Sequence, residues 1–309
     1  MKKIDTHFHT KLSDWSRNND EVIREAKQKW IDFIAPTEHD IINDELILSA
    51  KMNWMACVSW VEISSNDDIA TWKSLHLTCY SNNFWTQIRD ILENTREKRK
   101  LKVRKQVERL QSNWFNINYE KFIRFYKNLD FNIDNINNFQ LEDYVFQNED
   151  NIDKLLMSLV WVKMERWEFI QKCLKRNGEF RDIWWDEVEK YEPSVSKIWD
   201  IARENNYFLS LAHPNFTFRK NEQWFLDFIE QYHNKFNWIE INSKATEDWV
   251  KLIVDTSVKY GMILTFWSDS HHKWSDSKHW DLWDMNEFVT SKMIEENFED
   301  FLYELSKWQ

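Results

Sequence analysis

The residues able to do chemistry in this sequence are imidazoles and carboxylates spread along its whole length. They are His7-x-His9, Asp14, Glu38-His39-Asp40, Glu62 within WVEIS, His76, His213 within AHPN, and Asp269-Ser270-His271. An HxH pair on an extended chain sets both rings on one side, because side chains alternate with period two. Asp269-x-His271 repeats that spacing directly after an apolar run, and Glu62 ends another run, where a carboxylate is placed to bridge two cations. Mixed nitrogen and oxygen donors suit divalent transition-metal ions. Ions of this kind held side by side activate water and polarise an ester, so the pattern points to a hydrolytic enzyme. Arg17, Arg219 and Lys273 follow the ligand motifs and are candidates for holding a substrate phosphate, although a solvated surface charge is the commoner role. His233, His272 and His279 fit no part of the pattern and read as bystanders.

Elements must exist to carry these groups. Apolar density and β-branched or aromatic content mark seven strand-like runs, at about Lys3–His7, Asp32–Pro36, Met55–Ile63, Ser74–Cys79, Tyr207–Ala212, Phe236–Ile241 and Met262–Ser268. Helical patterns fall at Asp20–Lys29, Asp44–Met52, Trp224–Asn234 and Thr246–Tyr260. Alternation of this sort predicts an α/β barrel, in which functional residues collect at the C-terminal ends of the strands. His7, His39, Glu62, His213 and Asp269 all stand at or just past such an end, whereas His76 lies inside its run. A barrel over 1–85 and 205–290 is expected, with a helical insertion over 86–204 and a terminal helix over 291–309. The insertion opens with a helix-like stretch, Ile88–Leu110, that carries the basic run Arg96–Lys105. That run is either a solvated helix face or a lid that touches an oligonucleotide backbone.

The 309 residues suit one large domain or a barrel with an inserted subdomain. No apolar stretch is long enough to span a bilayer, and the N-terminus has no apolar leader. Cys57, Cys79 and Cys173 have no metal spacing and are odd in number, which suits reduced thiols in the cytoplasm. A net charge of −11 argues against a non-specific nucleic-acid coat, and no stable duplex binding is expected.

Glycine and tryptophan usage is abnormal. The chain has 2 Gly and 20 Trp, whereas usual composition predicts roughly 22 Gly at this length. Many tryptophans stand where turn glycines are usual, in Asn53-Trp54, Asn113-Trp114, Asn237-Trp238 and Asp14-Trp15, and Trp30 follows a helix-like stretch. The pattern is that of a gene in which UGA means glycine, read as though it meant tryptophan. On this reading Trp15, Trp30, Trp54, Trp60, Trp72, Trp114, Trp238, Trp267, Trp274, Trp280 and Trp283 are glycines, whereas Trp185, Trp249 and Trp308 are true tryptophans. The plainer alternative is a Trp-rich protein with an aromatic binding face.

The segments IDTHFHTKLSDW, IDFIAPTEHD, WVEIS, SLHLTCY, LSLAHP, WIEIN and TFWSDSHH resemble the polymerase and histidinol phosphatase (PHP) superfamily of metal-dependent phosphoesterases. With glycine at the tryptophan positions, SDG, GVEIS, GIEI and GSDSH match more closely. The resemblance covers about 1–85 and 205–285. A weaker match at Glu97–Phe115 is similar to the nucleoside 3′,5′-bisphosphate phosphatase and 5′→3′ exoribonuclease branch. It implies a distorted seven-stranded β/α barrel and two or three divalent metal ions, manganese, iron or zinc. By that resemblance His7, His9, Glu62 and Asp269 hold one ion. Glu62, His76 and His213 hold a second, with Glu62 bridging, and Asp14, His39 and His271 hold a third. Glu62, His213 and Asp269 are then the catalytic residues, and water activated between two ions hydrolyses a phosphate ester of a nucleotide or short oligonucleotide. A histidinol-phosphate-type phosphatase, a metal-dependent amidohydrolase and an inactive binding module are the alternatives.

Overall fold

A computed structural model of the chain describes residues 3–14, 17–68, 74–81, 84, 86–158, 165–174, 192–218, 221–269, 282 and 285–306. Eight strands form one sheet: β1 (Ile4–Phe8), β2 (Phe33–His39), β3 (Ala56–Cys57), β4 (Ser59–Asn66), β5 (Ser74–Ser81), β6 (Phe208–Leu211), β7 (Trp238–Asn242) and β8 (Ile263–Trp267). Seven follow the path β1-β2-β4-β5-β6-β7-β8, and the two-residue β3 pairs with β2 beside it. The run expected at Met55–Ile63 is therefore two strands. Ala56 and Cys57 pair with Phe33 and Ile34 at the start of β2, and β4 pairs with its end, Glu62 opposite His39.

The barrel is nearly closed between β8 and β1 by polar contacts. Asp269 N donates to His7 O at 3.0 Å, Thr6 Oγ1 donates to Phe266 O at 2.9 Å, and Ser268 Oγ donates to Asp5 Oδ2 at 2.7 Å. All strand pairs are parallel except those of β5, which runs antiparallel to both β4 and β6. This explains the place of His76. Near the start of an antiparallel strand, it lies at the same end of the barrel as the C-termini of its neighbours.

Caps written in the sequence start the helices. Asn18 and Glu21 make a reciprocal capping box ahead of Asn19–Gln28, and Asn43 and Thr246 cap Asp44–Met52 and Glu247–Tyr260. The terminal helix Ser291–Ser306 buries Ile294, Phe298 and Phe301 in the same core as Trp60, Tyr80 and Trp238. No helix among the described residues is long and apolar enough to cross a membrane.

The chain divides into two compact units, 1–93 with 192–309, and 94–191. Helix Val195–Asn205, placed in the insertion by the range 86–204, belongs to the first unit, and its Val195, Ile198 and Ala202 lie in that unit's core. The second unit is helical, with Tyr119–Asn128, Asn138–Phe146 and Glu149–Ser158 among its elements. Much of the basic run is used inside this unit. Arg99 donates to Asn135 Oδ1 at 2.8 Å, Lys100 pairs with Asp134 at 2.6 Å, and Arg104 pairs with Glu108 and lies over the Tyr119 ring.

The helix C-termini bear on the tryptophan anomaly. Three helices end in the same pair of bonds: Trp30 N to Lys27 O with Ile31 N to Ala26 O, Trp54 N to Lys51 O with Met55 N to Ala50 O, and Trp114 N to Gln111 O with Phe115 N to Leu110 O. This is the Schellman closure, which needs a left-handed residue at its turning point. Trp30, Trp54 and Trp114 have φ of 56°, 58° and 68°, and they are 82%, 98% and 84% exposed. Three further helix ends turn on Asp130, Asn206 and Gly261, at φ of 62°, 57° and 67°. Aspartate, asparagine and glycine tolerate this conformation; a bulky side chain there is an outlier.

Two further tryptophans lie inside the barrel. Trp60 and Trp238 are fully buried, and neither indole N–H has a hydrogen-bond acceptor. The Trp60 and Tyr80 ring centroids are 3.3 Å apart at 69°, and those of Tyr80 and Trp238 are 4.3 Å apart. Aromatic pairs pack with centroids about 4.5–7 Å apart, so this part of the core is overfilled.

Candidate metal centre

The strand ends converge on one carboxylate. Glu62, on β4, is fully buried, and its two oxygens face different histidines. Oε1 lies 2.6 Å from His76 Nδ1 and 2.8 Å from His213 Nε2. Oε2 lies 2.8 Å from His39 Nδ1, 3.4 Å from His7 Nε2 and 3.5 Å from His9 Nε2. Asp269 Oδ1 is 3.5 Å from His9 Nε2, and Asp14 Oδ2 is 3.3 Å from His39 Nε2. His7, His9, Asp14, His39, Glu62, His76, His213 and Asp269 thus share one end of the barrel. His271, Arg219 and Lys273 lie outside the described residues, as do Trp15, Trp72, Trp185, Trp274, Trp280, Trp283, Trp308 and the side chain of Trp267. Arg17 is described, and its guanidinium pairs with Glu25 on the first helix.

The donors fit divalent cations. Three groups have ligand atoms within 4.8 Å of one another: His7, His9 and Asp269; His9, Asp14 and His39; and His39, Glu62 and His76. His76 Nδ1 and His213 Nε2 also face each other at 3.1 Å while both approach Glu62 Oε1. Two ring nitrogens that close cannot both carry hydrogen, and a cation among three such donors is the arrangement that suits every lone pair. His7, His9, Glu62 and Asp269 would hold one ion, and Glu62, His76 and His213 another. Asp14 and His39 would contribute to a third.

Electrostatics follow from this crowding. Burial opposes charge on His39, but Glu62 and Asp14 outweigh it and raise its pKa to about 10. Burial likewise opposes charge on His7, yet Glu240 and Glu62 hold its pKa well above the usual value. Burial would raise the Glu62 carboxyl, but His39, His76 and His7 pull it well below the usual range. His76 moves the other way, lowered by burial and by His213 and His39 against the pull of Glu62. His39 therefore keeps a proton near neutral pH when no cation is bound, and a cation must displace it.

Several carboxylates near the centre serve as supports. Glu38 accepts from Thr10 N at 2.9 Å, Ser13 Oγ at 2.5 Å and Asn43 Nδ2 at 2.8 Å, and so fixes the loop that bears Asp14. Asp40 accepts from Ser64 N and Ser64 Oγ, both at 2.8 Å, which ties the end of β2 to β4. Neither side chain joins the ligand groups, although both sit in the Glu38-His39-Asp40 motif; period-two alternation turns Glu38 away from His39, and Asp40, just past the strand end, turns to Ser64. Glu240, from WIEIN on β7, is a buried carboxylate against His7 that the ligand pattern does not single out. Its only sequence signal is the odd acidic residue inside an otherwise apolar strand. Strain gathers here too: Asp40, His213 and Asp269 have φ of 51°, 31° and 50°.

No family model matches the sequence, and no curated protein matches it. Solved structures do. A protein from Bifidobacterium adolescentis, described as a candidate metal-dependent phosphoesterase, aligns with a TM-score of 0.71 at 15% identity, over 98% of this chain and 96% of its own. An amidohydrolase from Chromobacterium violaceum, with bound sulfate and no metal, aligns with a TM-score of 0.69 at 18% identity, over 96% of each chain. At these identities the likeness establishes a common fold: the α/β barrel of seven strands ringed by helices.

Proposed function

We propose that this chain is a metal-dependent phosphoesterase of the PHP type, acting on a phosphate ester of a nucleotide or short oligonucleotide in the cytoplasm. The observation that carries the reading is the split environment of Glu62, one oxygen toward His76 and His213 and the other toward His7, His9 and His39. Two or three bound ions, manganese, iron or zinc, would supply water acidic enough to attack phosphorus and charge to neutralise the ester oxygens. The chain's own residues hold that arrangement. Glu62 contributes one negative charge between two donor groups, His213 is fixed by its Nδ1 contact to Thr217 Oγ1 at 3.0 Å, and Asp269 is anchored through its backbone to β1. The nucleotide substrate rests on the resemblance of Glu97–Phe115 to the bisphosphatase and exoribonuclease branch, and the cytoplasmic setting accords with three free cysteines. The test is hydrolysis of a nucleoside 3′,5′-bisphosphate, a simple phosphomonoester, a phosphodiester and an amide, each with added manganese. Turnover of the amide alone would favour the chemistry named for the Chromobacterium neighbour and overturn this reading.

We also propose that UGA specifies glycine in this gene. Support comes from Trp30, Trp54 and Trp114 at left-handed helix ends, and from Trp60 and Trp238 crowding Tyr80. Trp249 is of the other kind, buried within Glu247–Tyr260 and packed edge-on against Phe225 at 5.5 Å. The codons decide the matter, together with peptide masses of protein from its native host. UGG at those five positions would sink the idea.

A further inference from the structure

Glu240 is fully buried and belongs to none of the three ligand groups. Its Oε2 lies 3.2 Å from His7 Nδ1, and its Oε1 accepts from Thr78 Oγ1 at 2.6 Å. The His213 backbone N–H also donates to Oε2, at 3.4 Å. Among the described residues no lysine or arginine pairs with it. A buried carboxylate without a full cationic partner is costly, so its partners must justify it. An ionised carboxylate only accepts, hence the His7 nitrogen that faces it must carry hydrogen. In a neutral ring the other nitrogen, Nε2, is then bare, and Nε2 is the atom turned toward Glu62 at 3.4 Å.

We propose that Glu240 is a positioning residue that locks His7 as its Nδ1–H tautomer and aims Nε2 at the metal centre. The proposal rests on the metal reading above. Three strands take part: His7 on β1, Thr78 on β5 and Glu240 on β7. Thr78 holds the carboxylate from one side and His7 meets it from the other, so the ring plane is set by the barrel itself. The contact to His213 N extends the same anchor to a second ligand, one held at a left-handed φ of 31°. Carboxylates behind a ligating imidazole also make the ring a stronger donor, and their loss costs about 10–100-fold in metal affinity.

The experiment compares the full-length chain with Glu240→Met, Glu240→Gln and Thr78→Val by manganese titration, and reads the His7 tautomer from imidazole ¹⁵N shifts in the zinc-loaded protein. We expect Glu240→Met to bind manganese about 10–100-fold more weakly, with His7 losing its single tautomer. Glu240→Gln keeps an acceptor without charge, so it should preserve the tautomer and weaken binding by a smaller factor. Thr78→Val should weaken binding less again. Unchanged affinity and an unchanged His7 signature in Glu240→Met would overturn the proposal. If that variant does not fold, Glu240→Gln decides it, since wild-type affinity there would overturn it equally. No substrate is involved. A chain that binds manganese as described but hydrolyses no phosphoester would defeat the proposed function and leave Glu240's role standing.

Discussion

Strands β4, β5 and β7 each turn two alternate residues to the barrel interior, and the two layers so formed are built differently. In the upper layer stand Glu62, Thr78 and Glu240, joined to His76, His213 and His7 by directional contacts. Two residues further down stand Trp60, Tyr80 and Trp238, with centroids as close as 3.3 Å and two indole N–H groups without acceptors. Hydrogen-bond directions specify one geometry for the upper layer. Only volume specifies the lower one, and the written side chains exceed it. The candidate site therefore draws on the upper layer, while the crowding around Tyr80 sits in the layer beneath it. Glycine at 60 and 238 would remove both indoles from around Tyr80.

The upper layer can be broken most severely at its centre. Glu62→Gln should lower kcat/KM on a phosphomonoester by on the order of 10³-fold, because a charge shared by two donor groups is lost from a buried, preorganised site. Metal content measured on the same sample should fall too. Full activity with full metal content would mean that the centre lies elsewhere.

Protons provide the next probe. The His39 pKa, raised to about 10 against an ordinary 6.5, means that in the metal-free protein its pairing with Glu62 and Asp14 is fully stabilising below about pH 6.5 and is lost as pH rises through about 10. Cation binding near pH 7.5 should then release protons, and manganese affinity should rise with pH over that window. Calorimetry in buffers of different ionisation enthalpy measures the number released. Uptake of protons, or affinity independent of pH, would contradict the electrostatics described for the site.

The lower layer and the helix ends should respond in stability instead of activity. Trp60→Gly combined with Trp238→Gly should stabilise the written chain by about 1–3 kcal/mol, the usual cost of overpacking. Trp30→Gly, Trp54→Gly and Trp114→Gly should each add about 1 kcal/mol by relieving a left-handed bulky residue. Asn206→Gly, at the same kind of position, should change little, since asparagine already tolerates the conformation. Thermal unfolding reads all of these, and stability falling in all three single variants would mean that the indoles belong where they are.

Much of this was legible in the sequence, for identifiable reasons. Candidate ligands at strand ends stand out because imidazoles and carboxylates are rare beside apolar runs, and two of the three Schellman positions stand out because Asn-Trp replaces a known turn signal. His76 was harder: its place depends on β5 running antiparallel, which no local pattern announces. Glu240 was missed because a buried carboxylate acting through another residue has no spacing rule. Within the insertion, Asn137 forms a capping box with Gln140 and Asn132 caps a short 3₁₀ turn, so the asparagines there punctuate the helices.

The smallest effect is expected at His233, and it sharpens the comparison by lying outside both layers. His233 follows helix Glu222–Tyr232, its Nδ1 within 3.2 Å of Ile229 O and its ring stacked on Tyr260 at 4.4 Å. Each of these contacts is local and partly solvated, and none reaches the strand ends. His233→Ala should therefore change kcat/KM by less than about twofold and cost at most about 1 kcal/mol of stability, as for other surface hydrogen bonds. Assayed beside Glu62→Gln, it separates loss of a ligand from loss of any histidine-sized contact. Comparable losses in the two variants would show that activity tracks stability alone, and that the convergence on Glu62 is not the seat of the chemistry.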